Sequence, residues 1–521
     1  MKKNALPSIN LKKILLLFTS VVVLVTVVLL IALTNSSDEI YKPDISSDLT
    51  GNETVTDVAI YVFDGEGMIV VSIGNEPAYL IDGWLSNWDQ SLTGCRAAVL
   101  SDFNPEEGGT LWFIDDTGSS LIAHGVFLAI MSDSGDGVAF LTEVDIDDNS
   151  ATLSLYNATT GAVNKITENF ALRTGSEGIS LSPDGQSVGF IQGTDISALD
   201  TIGYISINGG EPIPLGKNTR PLAIADNGRF TYYAHLTGTG DERFWTLVVK
   251  SDEGNTELVN NWSWSELILN IDFSEALFFD NDRVYLSRDG RQGEAVGVTG
   301  LRDIIIPHGT PTINRIDPVT VLGTPSFDNI ALVGQDAFIH IGEGHEIAEI
   351  SGLHDTVYTA MMTGDGNWLL YVDDSRHVIR INPSRPDDGQ SEHGEYVSDI
   401  RASNDGSTIY YLDHYMQLWT VRNLSEHELI ANNVSPHFFV PSHNGDRVFF
   451  LVDHCWEMGG TLYTSVNGGE AARIESGLNV RNILTTPSGA FFVTTEGVLY
   501  RSGIDGIFSL FASEINTWGM W

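Results

Sequence analysis

Cysteine is almost absent: two residues, Cys95 and Cys455, occur in a chain of 521. That excludes a disulfide-rich scaffold, and because neither sits in a Cys-x-x-Cys pair it also removes zinc-ribbon and thioredoxin-like chemistry. One long-range bridge between Cys95 and Cys455 stays open in an oxidising compartment, against two separately buried thiols. Basic residues are scarce too. There are 27 Lys and Arg against 69 Asp and Glu, a formal net charge of −42, and four of those lysines (Lys2, Lys3, Lys12, Lys13) precede the long apolar run. A surface of that sign repels phosphate backbones, which excludes nucleic-acid binding through a basic footprint; it also favours a soluble, monomeric domain. Between the repeated units described below no helix-spaced pattern of a dozen residues intervenes, which argues against alternating strand–helix folds.

What is present begins with Ile14 to Leu33, twenty residues without a charge. At about 1.5 Å per residue in a helix this matches the hydrocarbon thickness of a bilayer. Lysines lie before it and Asp38 and Glu39 after it, so the positive-inside bias puts residues 1–13 in the cytoplasm and the bulk of the chain outside the cell membrane, as a single-pass anchor. A cleaved secretory signal would have a shorter apolar core and a small-x-small site, which Ala32-Leu33-Thr34 supplies poorly. Residues 34–54 are polar and aperiodic and read as a juxtamembrane spacer. The short tail has no room for a signalling output domain.

Beyond the spacer the sequence repeats. One part of the unit is an Asx-Gly turn followed by an apolar, aromatic strand: SPDGQSVGFI from Ser182, ADNGRFTYYA from Ala225, GDGNWLLYVD from Gly364, SNDGSTIYYL from Ser403 and SHNGDRVFFL from Ser442. Asx-Gly supplies the positive backbone angles of a tight turn, and β-branched and aromatic residues suit a buried strand. The other part is a strand, a Gly-containing hairpin and a second strand, clearest in GYISINGGEPIPL from Gly203 and LYTSVNGGEAARI from Leu462. With weaker copies the chain holds about eleven candidate units, each with room for four short antiparallel strands. That is the size and order of a propeller blade, so the expected fold class is an all-β β-propeller, as one large ring or two.

These residues resemble a known group. Ser182-Pro183-Asp184-Gly185 before an apolar strand, followed by an aromatic-led strand and a Gly-Gly-Glu hairpin, looks like the WD40-like repeat of TolB-type β-propellers. The resemblance implies a propeller and a binding surface rather than an activity. The stretch 301–326 lacks a good unit and carries four prolines. It is the candidate linker between residues 55–300, with about six units, and residues 327–521, with about five.

Catalytic signatures are few. No Gly-x-Ser-x-Gly elbow occurs, and the last unit runs to Trp521, so the hydrolase domain of peptidase propellers is not expected. Asp145, Asp147, Asp148 and Asn149 resemble a calcium loop, but Tyr156 stands where its Glu should be, so a polar hairpin tip is expected. Glu106, Glu107, Asp115 and Asp116 read the same way. Eleven of thirteen histidines lie between His308 and His454 without metal-binding spacing. No metal and no cofactor are expected. The eleven tryptophans offer the candidate ligand-stacking residues Trp84, Trp88, Trp262 and Trp264, against the commoner use of Trp in inter-blade packing. The expected function is a non-catalytic module binding an envelope protein or glycan. The alternative is a hydrolase or lyase with acidic residues in the central channel.

Overall fold

The apolar runs that follow each Asx-Gly turn are too short to be helices and are apolar at successive positions, the pattern of strands covered on both faces. They form the middle strands of an all-β fold. The computed structural model describes residues 58–512 apart from short intervals, of which 73–78, 194–200 and 351–358 are the longest. Segment 14–33 lies outside the described residues, with the tail and spacer. Among the described residues no helix is long and apolar enough to cross a membrane.

Eleven antiparallel meanders follow one another along the chain. The first, over 58–82, has three strands; the others span 85–126, 128–171, 179–217, 219–262, 267–299, 303–349, 360–393, 397–431, 434–473 and 480–512. The third joins the fourth through the single pair Phe170 and Gln192, and the tenth joins the eleventh through Gly460 and Val480. Successive sheets stack face to face, and several neighbouring sheets touch through their first strands, such as Leu85–Gln90 with Leu128–Met131 and Val397–Ala402 with Val434–Pro441. This is the arrangement of propeller blades.

The ninth sheet shows why the sequence folds this way. Its strand Thr408–Asp413 is buried throughout. Ile409 and Tyr411 pack with Leu370, Val372 and Val378 of the eighth sheet. Tyr410 and Leu412 point the other way, to Val434, Phe439 and Phe450 of the tenth. Each such side chain contributes roughly 1.5–3 kcal/mol by leaving water, so a strand with two apolar faces needs a neighbour on each side.

The turn between the first and second strands of a sheet is built the same way repeatedly. In the fourth sheet the Ser182 hydroxyl donates to Asp184 Oδ1 (2.6 Å) and accepts the Ser187 N–H (2.9 Å). Thr363 with Asp365 and Ser403 with Asp405 repeat the bond at 2.6 and 2.7 Å. These turns also brace one another. Ser134 N–H donates to Pro183 O, and Asp184 N–H donates to Asp226 Oδ1 (2.9 Å). Gly185, at φ +65°, lies so close to Gly137 of the preceding sheet that a Cβ would sit 2.4 Å from the Gly137 nitrogen.

The segment 301–326 is not a bare linker. Asp303–Ile305 is the first strand of the seventh sheet. A hairpin then follows, Thr312–Asn314 with Val319–Leu322, and its second strand pairs in parallel with Leu267–Leu269, the first strand of the sixth sheet. Val319 and Val321 face a core with Leu222, Ala223, Leu267 and Phe273. They also close a small apolar void with Ile130, Ile179 and Leu181, so first strands from the third to the sixth sheet meet on the hairpin. One apolar cluster, including Val296, Val298, Ile330 and Leu332, runs across from the sixth sheet to the seventh. The alternation Val-Thr-Val-Leu was the available signal, but it was masked by prolines at 311, 318 and 325 that flank the two short strands.

Candidate functional site

Thr320 and Leu322 face away from that core, as strand alternation requires. They line a cavity of about 560 Å³ between the hairpin and the sixth and seventh sheets. Its floor is apolar: Ile268, Phe279, Leu301, Ile304, Ile306 and Leu322. Four of these, Phe279, Leu301, Ile304 and Ile306, are only half-buried although they adjoin a core cluster. Around it stand Ser265, Glu266, Arg302, Asp303, Thr312 and Thr320. Glu266, Arg302 and Asp303 are exposed, so the charged groups form a rim. Apolar walls with a few polar groups to orient a guest are the usual composition of a ligand site, and the volume falls within the usual few hundred to about 1,000 Å³.

The loop that brings Ser265 and Glu266 to the cavity also carries the tryptophans. Trp262 ends the strand Gly254–Trp262 and is 3% exposed; its indole N–H donates to Ser265 Oγ at 2.9 Å. It is an inter-blade packing residue. Trp264 is half-buried and sits at φ +58°, where a bulky residue is strained. Its ring meets Trp262 at 5.0 Å and Trp245 at 5.1 Å, and the Arg220 guanidinium lies 4.8 Å from its centroid. Trp262 and Trp264 are thus brought together in one ring cluster, with Trp264 the less buried of the two. Trp88 is half-buried in the strand Leu85–Gln90, not in a loop. Trp84 and Cys95 lie outside the described residues. Cys455 is a half-buried free thiol, and its Sγ accepts the Met458 N–H at 3.4 Å.

Asp145 and Asp226 take structural places. Asp145 Oδ1 accepts the N–H groups of Asp147 and Asp148, both at 3.0 Å, at a hairpin tip. Asp226 is half-buried, and burial, helped by Asp184 and Asp133, pushes its carboxyl up to about 6. It belongs to the braced turns, not to the cavity. The histidines spread over several sheets, and among the described residues no group of three His, Cys, Asp or Glu is placed to hold a metal ion. His340 is wholly buried between the seventh and eighth sheets, with both ring nitrogens unpartnered, and burial pulls it down to about 4.

Sheet order and stacking define the class: an all-β protein of the β-propeller kind. No protein-family model and no curated protein matches the chain. Solved structures similar to it include the β-propeller domain of the Trilobed protease from Pyrococcus furiosus, at 12% identity and TM-score 0.30 over 60% of this chain and 96% of that one. Tricorn protease is similar at 9% identity and TM-score 0.26, over 83% of this chain and 62% of its own length. TolB from Acinetobacter baumannii is similar at 12% identity and TM-score 0.24, over 46% of this chain and 64% of its own. The chain thus spans less than two thirds of tricorn protease and of TolB. At these values the class rests on the chain's own sheets.

Proposed function

We propose that the protein is a membrane-anchored, extracytoplasmic β-propeller that binds an envelope protein or glycan and performs no chemistry itself. The observation that carries this reading is the cavity of about 560 Å³, where half-buried Phe279, Ile304 and Ile306 face open space behind a charged rim. Apolar groups left wet beside a packed core gain free energy when a guest covers them. The anchor rests on segment 14–33 and holds that surface near the membrane. The hydrolase or lyase reading would draw on Asp226, raised to about 6 beside Asp184. Against it, Asp226 Oδ1 accepts the Asp184 N–H, and the hairpin brings Val319 and Val321, not carboxylates, against the first strands.

A photo-cross-linking residue at position 306 tests the site in cells, with one at exposed position 165 as control. A single recurrent adduct from 306 alone, with no turnover of a glycoside and peptide panel by the purified chain, is the expected result. Turnover that Asp226→Asn abolishes would overturn it. For the anchor, the full chain should resist alkaline extraction from membranes and be released once residues 14–33 are deleted; extraction of the intact chain would remove the membrane part.

A further inference from the structure

A second surface is independent of the cavity. Tyr396 and Tyr415 are 54% and 71% exposed, and their rings meet at 6.3 Å and 73°, forming a corner. Two adjoining exposed rings form a contiguous apolar patch, which is more informative than a singly exposed side chain. The turns that carry them are held in place. Asp413, 5% exposed, accepts the N–H groups of Tyr415 (2.8 Å) and Gln417 (2.9 Å) through Oδ1 and the Trp419 indole N–H (3.1 Å) through Oδ2. His414 N–H donates to Tyr396 O, tying the two ring-bearing turns together. Tyr396 and Met416 both stand at positive φ, +57° and +60°, which costs free energy that a glycine or asparagine would save.

We propose that Tyr396 and Tyr415 form a docking corner for a lysine or arginine side chain of a basic partner protein. Two perpendicular rings present their negative faces to one point, and a cation within about 6 Å of a ring centroid is attracted to it. Exposed Glu395 precedes Tyr396 in the same turn, and the whole chain, at −42, draws a basic partner towards it and repels an acidic one. Because the two turns are braced, little backbone entropy is lost on docking.

The test uses the full chain in detergent micelles and a fluorescent decalysine peptide as probe. Tyr396→Ala with Tyr415→Ala leaves every charge in place and should weaken binding about five-fold or more. Tyr396→Phe with Tyr415→Phe keeps the ring faces and should bind within about two-fold of the parent. Equal affinity for the double alanine variant would mean that charge alone holds the peptide, and the proposal would fall. It would fall equally if a neutral maltodextrin bound the parent more tightly than decalysine and lost that binding in the alanine variant.

Discussion

Two sets of turns in this propeller are built on opposite principles. Those between the first and second strands of the fourth, eighth and ninth sheets use Ser or Thr, Asp and Gly, and they spend their polar groups on themselves and on the next sheet, as Ser182 and Asp184 do within their turn and with Asp226. Their left-handed positions are filled by Gly185, Gly366 and Gly406, which take φ near +65° to +69° without steric cost. The turns that carry Trp264, Tyr396 and Met416 put large side chains at φ near +60° instead, and the last two leave the rings of Tyr396 and Tyr415 exposed. The first set is organised for stability and the second tolerates strain where surface is offered. A large residue at a left-handed position does not by itself mark surface, since Phe273, at φ +60° in the corresponding turn of the sixth sheet, is buried in the core; the turns to examine for recognition are those where such strain coincides with exposed rings.

The strongest way to break this comparison is Gly185→Val. Its Cβ would fall 2.4 Å from the Gly137 nitrogen and 2.5 Å from Gly137 Cα at a left-handed backbone position, so a loss of about 4 kcal/mol is expected in denaturant unfolding. A loss under about 1 kcal/mol would show that the braced turns can part freely.

The layer between the two sets of turns is probed by acid. His340 has its folded value lowered by burial from 6.5 to about 4, so between those values the unfolded chain binds the extra proton. Stability is full above about 6.5 and falls by about 3 kcal/mol as the pH drops towards 4. His340→Leu should remove that slope and stabilise the protein at neutral pH, since two buried nitrogens without partners disappear. A pH series of denaturation midpoints for both proteins decides it; parallel curves would refute the burial argument.

Asp226 carries the opposite sign within the braced turns. Its folded value, about 6, lies above the ordinary 3.8, so its contribution is fully present below about 3.8 and is lost as the pH rises through 6. Asp226→Asn keeps an acceptor for the Asp184 N–H and should gain about 1 kcal/mol at pH 7 and nothing at pH 3.5. Equal gain at both values would mean that the carboxyl is ionised without penalty.

The smallest effect belongs to the open turns. Tyr396→Asn relieves a left-handed backbone without touching a buried group, and a gain of about 0.5 kcal/mol is expected. Thermal unfolding of variant and parent checks it. A loss would place Tyr396 among the structural residues and close the gap between the two sets of turns.

The repeats were legible because each turn is local. Asn208 and Gly209 sit at φ +53° and +65° in the hairpin that the sequence marks as Asn-Gly-Gly, and all five Asx-Gly turns precede strands. The cavity was not legible. Its walls come from the loop at 263–266, the strand at 303–305 and the hairpin at 312–322, and no local pattern says that Thr320 and Leu322 will face Ile268 and Phe279. Trp262 and Trp264 were singled out together, but only their surroundings separate the buried residue from the half-buried one.

The amino-acid sequence by itself determined the class of fold, the spacing of the strands and the acidic character of the surface, because turn chemistry, two-residue alternation and charge act over a few residues or simply add. Tertiary structure alone decided that a proline-flanked segment becomes a hairpin against the first strands, that one tryptophan of a pair is buried and the other half-buried, and that Tyr396 and Tyr415 meet. Those outcomes depend on which residues distant in sequence share a space, and packing sets that only once the sheets have stacked.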